Sequence, residues 1–348
     1  MSYATIRDIA REAAVSVATV SRALNGHSNV RAEVRTHIED VAARLGYVPN
    51  AAARSLSSAR SGMIGVVVPD LHGEFFSELL RGMDREASAR GLYLMMMVMH
   101  GDAERGVAAL HAMRGRVDGL VVMAPQVSSD ELFAHMPANM PAILVNCAPG
   151  QAGRSELRLD NVAGAAALVD HLIASGRRRI VHISGPPGNI DAEERLSGAR
   201  DACARAGIAL RVMAGDFNEP SGIAAATALI AEGCPIDAIF AANDNMAIGA
   251  MMTLARAGIA VPERVAIAGF DDIPLARLIT PSLTTASVDI ADFGASAVAR
   301  LASAIAGGDE SRIERRVPVV VIRDSTGRPT EIQSDTYNKN PNDRDQGE

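Results

Sequence analysis

The sequence predicts an α/β chain: a small three-helix head and a short connector precede two lobes, each a doubly wound parallel sheet. Three observations predict it. Up to residue 61 apolar residues recur at helical spacing, with capping residues between the runs. After Gly62 continuous apolar runs of strand length alternate with helical stretches, the pattern of parallel strands covered on both faces. The chain has 348 residues, more than one ordinary domain holds, and roughly 260 residues of alternating strand and helix exceed a single doubly wound sheet.

In the head, Thr5-Ile6-Arg7-Asp8 has the form of a capping box, and Ile6, Ile9, Ala10 and Ala13 follow at helical spacing. Ser16 is a good N-cap for a second short helix, Val17 to Leu24, which Asn25-Gly26 ends. A third helix carries Val34, Ile38, Val41, Ala42 and Leu45 on one face and stops at Gly46. On the second helix Val20, Ala23 and Leu24 are expected to pack inward, leaving Thr19, Ser21 and Arg22 outward. Hydroxyls and an arginine on so small a helix suit phosphate and base-edge contacts in a major groove. Asn50 can cap a fourth segment, 51–57, too short to be stable alone, and Ser58–Gly62 reads as a linker.

Strands are expected at Met63–Val68, Leu92–Met99, Gly119–Met123, Ile143–Asn146, Leu157–Leu159, Ile180–Ser184, near Leu210, at Ala238–Ala242 and at Val265–Phe270. Ligands of such sheets bind beyond the carboxyl ends of the strands. The candidates at those ends are Asp70, Phe75 and Phe76, then Asn146 and Asp160, then Asp191 and Arg195, then Phe217, Asn243 and Asp271. Phe270 falls at a strand end too. Carboxylate, amide and arginine around aromatic faces suit a polyhydroxylated ring, whose hydroxyls need polar partners and whose CH surface needs cover.

Composition limits the alternatives. With 48% hydrophobic and 22% charged residues the chain is not disordered as a whole. Its longest apolar run, Leu92–Met99, is less than half of the roughly 20 residues a membrane span needs, and Met1–Thr5 does not open a signal peptide. Cys147, Cys203 and Cys234 are odd in number and lack metal spacing, which fits a reducing cytoplasm. There is no Gly-x-Ser-x-Gly elbow, no lysine placed for a phosphate loop and no metal spacing among the eight histidines. Asp271 and Asp272 are adjacent, so their side chains diverge. The expectation is therefore no enzyme, no cofactor and no metal. Residues 1–60 hold eight arginines against five acids in a chain of net charge −7, so a basic head sits on an acidic body and the head is the part to meet a polyanion.

Ala4–Ala10, Val15-Ser16, Thr19–Asn25 and Leu45–Asn50 together resemble the headpiece of the LacI/GalR family of bacterial transcription regulators, and the likeness extends over about residues 3–325. The resemblance implies a helix–turn–helix head at 1–49 and a hinge helix and linker at 50–61. It also implies an effector domain like the periplasmic binding proteins. Its N-terminal lobe is expected at 62–160 and 289–317, its C-terminal lobe at 161–288 and 318–330, and a disordered tail at 331–348.

Carried onto this chain, the family pattern makes Val17, Ala18 and Arg22 the base readers. Thr5, Ser16, Thr19, Ser21, Asn25, Asn29 and Arg35 would hold phosphates. Asn50, at the cap of the hinge segment, would belong to the DNA-binding set, Ala53 would let two hinge helices approach, Arg54 would lie near phosphates, and Leu56 would enter a minor-groove step. Arg31, where the family has a capping serine or threonine, and Val34 depart from the pattern. In the lobes Arg195 matches the family's effector-gripping arginine, Asn243 and Asp271 its hydroxyl partners, and Phe76 and Phe217 its stacking walls.

The implied function is a cytoplasmic homodimeric repressor of carbohydrate-utilisation genes. It would bind pseudo-palindromic operator DNA, and a sugar or sugar phosphate between the lobes would control it. Phe76 and Phe217 could equally sandwich a purine, but Asn189 lacks the charge a purine site would use. A sugar-binding transport protein would share the lobes but not residues 1–60. The tail has no leucine or heptad, which disfavours a C-terminal coiled coil.

Overall fold

The computed structural model describes residues 4–24, 29–47, 60–100, 103–136, 140–147, 155–233, 235–308 and 312–327. The connector read at 50–58 and the tail from 331 lie outside the described residues, as do Asn25, Asn50, Ala53, Arg54 and Leu56.

The head consists of α1 (Ile6–Glu12), α2 (Val17–Leu24) and α3 (Ala32–Arg44). Asp8 reaches back to accept hydrogen bonds from the Thr5 backbone N–H at 2.9 Å and the Thr5 hydroxyl at 2.6 Å. Ser16 Oγ accepts from Thr19 N at 3.0 Å, satisfying an N–H that the helix itself leaves open. Arg31 occupies the cap of α3 and makes no side-chain cap bond. Gly46 ends that helix at φ +62°, a left-handed conformation glycine adopts without a β-carbon clash. Ile9, Val20 and Ile38 are fully buried where the three helices meet. At about 1.5–3 kcal/mol per side chain, they make the head a packed unit.

Then follow β1 (Met63–Val68), α4 (Glu74–Ala89), β2 (Tyr93–Val98), α5 (Ala103–Met113), β3 (Gly119–Met123), α6 (Ser129–Ala134), β4 (Ala142–Val145) and β5 (Glu156–Leu159). A second series begins with α7 (Asn161–Ala174), β6 (Ile180–Ile183), α8 (Ile190–Arg205), β7 (Arg211–Met213), α9 (Glu219–Ala231), β8 (Ala238–Ala241), α10 (Asp244–Arg256), β9 (Ala266–Ala268) and β10 (Thr285–Ser287). The chain then returns through α11 (Ile290–Ile305) and β11 (Ile313–Arg316), and closes with β12 (Val319–Val321).

The first sheet has the order β11-β5-β4-β3-β1-β2 and the second β7-β6-β8-β9. Every pair within these two sheets is parallel. An antiparallel ribbon of β10 and β12 joins the second sheet through the bridges Ala268–Thr284 and Asp271–Ser287. The chain therefore passes between the lobes after β5, after β10 and after β11.

Val66, Val121 and Ile143 fill the first sheet, and Ile183, Ile239 and Ala241 the second, all fully buried. Helices α4 and α11 pack so closely that a β-carbon at Gly82 would collide with the Ala291 carbonyl, and one at Gly294 with that of Leu79.

Three features differ from the sequence expectation. Leu92–Met99 is not covered on both faces: β2 is an edge strand, its Tyr93 is 73% exposed and its Met96 43% exposed. Thr19 and Ser21 are half-buried rather than outward, and the Thr19 hydroxyl lies 2.8 Å from Ser16 Oγ. The strands β10, β11 and β12 were not expected from the sequence: β10 and β11 are short and partly polar, and β12, though all valine, is only three residues long and follows Pro318.

Candidate functional site

The carboxyl ends of both sheets face one cavity of about 210 Å³. Asp70 follows β1, His100 follows β2, Met123 ends β3 and Gln126 follows it, and Pro186 follows β6; Asp216, Asn243 and Asp271 follow β7, β8 and β9. Phe75 and Phe76, from the first turn of α4, meet edge to face at 5.3 Å and form one wall. Phe217 forms another. Its backbone sits at φ +70°, and its ring lies where a β-carbon at Gly185 would stand.

Arg195 and Asp271 form the polar floor. Arg195 is 4% exposed. Its Nε donates to Asn161 Oδ1 at 2.9 Å and its Nη1 to the Ala242 carbonyl at 2.6 Å. Nη2 pairs with Asp271 Oδ1 at 3.1 Å. The guanidinium plane stacks 3.9 Å above the centroid of Phe270. Burial pushes the Asp271 carboxyl up to about 6, with Arg195 holding it down in part. Burial also raises Asp191, which accepts from Asn161 Nδ2 at 2.8 Å. The pair and Asn243 present charged and amide groups at the cavity between aromatic walls, the combination that grips ligand hydroxyls.

The lobes touch around this cavity. His72 Nε2 lies 3.0 Å from Glu219 Oε2, Leu275 N donates to Glu74 Oε2 at 2.8 Å, and Ile190 N donates to the Pro125 carbonyl at 3.0 Å. Behind the floor, Asn161 Nδ2 also reaches Glu194 Oε2 at 3.2 Å, and Glu194 pairs with Arg158 of β5 at 3.1 Å. The groups that would touch a ligand are thus connected to the segment through which the chain crosses between lobes.

The structure brings Asp70, Phe75, Phe76, Asp191, Arg195, Phe217, Asn243 and Asp271 together around the cavity. It leaves Asn146 and Asp160 out. Asn146 is buried and spends its Oδ1 on Leu159 N at 2.9 Å, linking the ends of β4 and β5. Asp160 caps α7 by accepting from Ala163 N at 3.0 Å. Phe270 is fully buried and supports Arg195 from below instead of walling the cavity. Asp271 and Asp272 do diverge: Asp272 turns away to Arg323 Nη2 at 2.6 Å.

Sequence reasoning missed Gln126 and His100; the strand-end rule, extended to β2 and β3, reaches both. It also missed Asn161 and His72. Asn161 stands one residue beyond a residue that the rule picked, and His72 carries no local signal at all.

On the head, Val17, Ala18 and Arg22 are exposed on α2, and Thr5, Ser16 and Asn29 are exposed beside it. Arg35 is half-buried on α3. Arg22 Nε donates to the Ala18 carbonyl at 3.2 Å, which leaves its Nη groups available for another acceptor. Among the described residues no helix is long and apolar enough to cross a membrane, and no group of three His, Cys, Asp or Glu side chains could hold a metal.

Comparison with known proteins matches residues 5–50 to the model of bacterial regulatory proteins of the lacI family, and residues 169–326 to a periplasmic binding protein-like domain. The ribose operon repressor of Halalkalibacterium halodurans is 33% identical over 324 residues, 92% of this chain and 97% of that protein. The transcriptional regulator GalS of Salmonella typhimurium is 36% identical over 292 residues, 82% of this chain and 86% of its own length. Among solved structures, the lac repressor dimer bound to operator and the anti-inducer ONPF superposes with a TM-score of 0.87 at 27% identity, covering 94% of this chain and all of that one.

Proposed function

The chain belongs to the LacI family of bacterial regulatory proteins, and on that premise we propose that it is a cytoplasmic, homodimeric repressor whose hold on operator DNA answers to a sugar in the cleft. Arg22 reads guanine through its free Nη groups. Val17 and Ala18 meet thymine methyls, and Thr5, Ser16, Thr19, Ser21, Asn29 and Arg35 border phosphates. Asn25, Asn50, Ala53, Arg54 and Leu56 complete the DNA contacts by the family pattern alone.

In the cleft, Asp271 and Arg195 grip ring hydroxyls, while Phe76 and Phe217 cover CH faces. Asp70, Phe75, Asp191 and Asn243 fill the remaining wall. The observation that carries this reading is the convergence of the Arg195–Asp271 ion pair, at 3.1 Å, with Asn243 on one cavity walled by Phe76 and Phe217. The role is binding rather than catalysis, since the floor offers grip but no activated nucleophile.

Sugar in the cleft changes how the lobes meet, and so the spacing of two hinge segments in a dimer. A hundredfold change in operator affinity requires only about 2.7 kcal/mol of coupling, of the order of one short helix forming or melting. Exposed apolar side chains lie on both lobes: Tyr93 and Met96 on β2, and Met252 and Leu278 beyond the second sheet. A second copy would cover such surfaces.

The test is selection of duplexes from a random pool, then titration of the selected duplex with and without free sugars. The reading expects a two-fold-related site whose affinity a sugar shifts tenfold or more, and a large loss for Leu56→Ala. No site-selective duplex binding under any condition would refute it.

A further inference from the structure

The cleft is negatively charged, and its positive groups are already occupied. Asp70, Asp191, Asp216 and Asp271 line it, and among the described residues Arg195 is the only arginine or lysine that does. Three of the five N–H groups of Arg195 point at Asn161, Ala242 and Asp271. His72, also on the wall, lies against Glu219.

Four helices, α4, α8, α9 and α10, bring their N-terminal turns to the cavity. Such turns ordinarily favour anions. Here each has a carboxylate of its own in the first turn: Glu74, Asp191 with Glu193, Glu219, and Asp244. The caps Asn189 and Asn243 accept the open N–H groups of α8 and α10. The N-termini of α8 and α10 are thus capped from within the chain, and those of α4 and α9 carry the carboxylates of Glu74 and Glu219.

We propose that this cleft admits an uncharged monosaccharide and rejects its phosphate ester. The proposal rests on the sugar reading above and narrows it. A cavity of about 210 Å³ lies below the roughly 300–1,000 Å³ of sites for larger ligands, which limits the occupant to a single ring. A phosphate dianion would meet four carboxylates and one arginine already paired, without the water that screens it outside. The regulator therefore responds to the sugar before phosphoryl transfer: its effector is what a sugar kinase consumes, not what it makes.

The experiment uses the full chain with ribose and glucose, each beside its terminal phosphate ester, followed by thermal shift and calorimetry. At least one free sugar is expected to bind, and its ester at least a hundredfold more weakly. An ester that binds as tightly as its parent overturns the proposal. A neutral nucleobase that binds while no sugar does overturns the sugar reading but upholds the exclusion of charge. The double variant Glu193→Gln, Glu219→Gln removes two helix-end charges at exposed positions, and should narrow the sugar-to-ester ratio severalfold. An unchanged ratio would show that these carboxylates do not set it.

Discussion

His72 Nε2 and Glu219 Oε2 meet at 3.0 Å across the mouth of the cleft, one residue from each lobe. Beside them Leu275 N donates to Glu74 Oε2 at 2.8 Å. At this rim the lobes meet through polar contacts. Half-exposed pairs of this kind contribute about 0.2–1 kcal/mol each. Glu219→Gln should accordingly speed sugar release by a fewfold in stopped-flow dissociation and lower stability by no more than about 1 kcal/mol in melts. A release rate identical to that of the parent chain would remove the rim contact from the closing mechanism.

Asp271 ties stability and binding to pH. Burial raises its folded pKa to about 6 from 3.8, so between these values the folded state holds more protons than the unfolded one. Stability from this group is therefore present at low pH and falls as pH rises through the window, by at most about 1.4 kcal/mol per pH unit. Asp191 acts in the same sense. His182 acts oppositely: burial lowers it to about 4, so its contribution is lost as pH falls from about 6.5. The difference between the parent and Asp271→Asn isolates the one group. The variant should gain relative stability as pH rises from 4 to 6 in denaturant melts, and a parallel pair of curves would contradict the assignment. A sugar hydroxyl donating to the carboxylate favours its ionised form, so affinity for sugar should rise between pH 5 and pH 7.

Gly82 and Gly294 set the distance between α4 and α11, where each lacks the room for a β-carbon. Gly82→Ala forces the helices apart at the Ala291 carbonyl, and overpacking of this kind costs about 1–3 kcal/mol. Chemical denaturation should register that loss; an unaltered midpoint would mean that the helix pair yields without cost.

Arg22 holds its Nε on the Ala18 carbonyl, so the guanidinium is already aligned along the exposed edge of α2. Arg22→Ala should cost about 1–3 kcal/mol of operator affinity and relax preference at one base pair. Quantitative footprinting on single-base operator variants measures both. A uniform loss across all sequences would instead mark Arg22 as a phosphate contact.

Much of this architecture was legible in the linear order of residues. The capping groups Thr5, Asp8 and Ser16, the stop at Gly46 and the apolar strands β1, β3, β6 and β8 depend on neighbours a few positions away, and local rules reach that far. Strand ends located Arg195, Phe217 and Asp271 because a parallel sheet places all its carboxyl ends along one edge. What the tertiary structure alone decided is how those groups are used. Asn146 and Asp160 stand at strand ends but satisfy backbone N–H groups there, and only the packing of β4, β5 and α7 shows it. Phe270 lies under Arg195, not on the wall, because β9 is the inner neighbour of the β10–β12 ribbon, a pairing between segments more than thirty residues apart. His72 with Glu219, and the chain of contacts from Arg195 through Asn161 to Arg158, join residues far apart in sequence. Spacing along a chain determines which face a side chain takes. Which opposite charge waits on the other side of a cleft is a matter of three-dimensional closure.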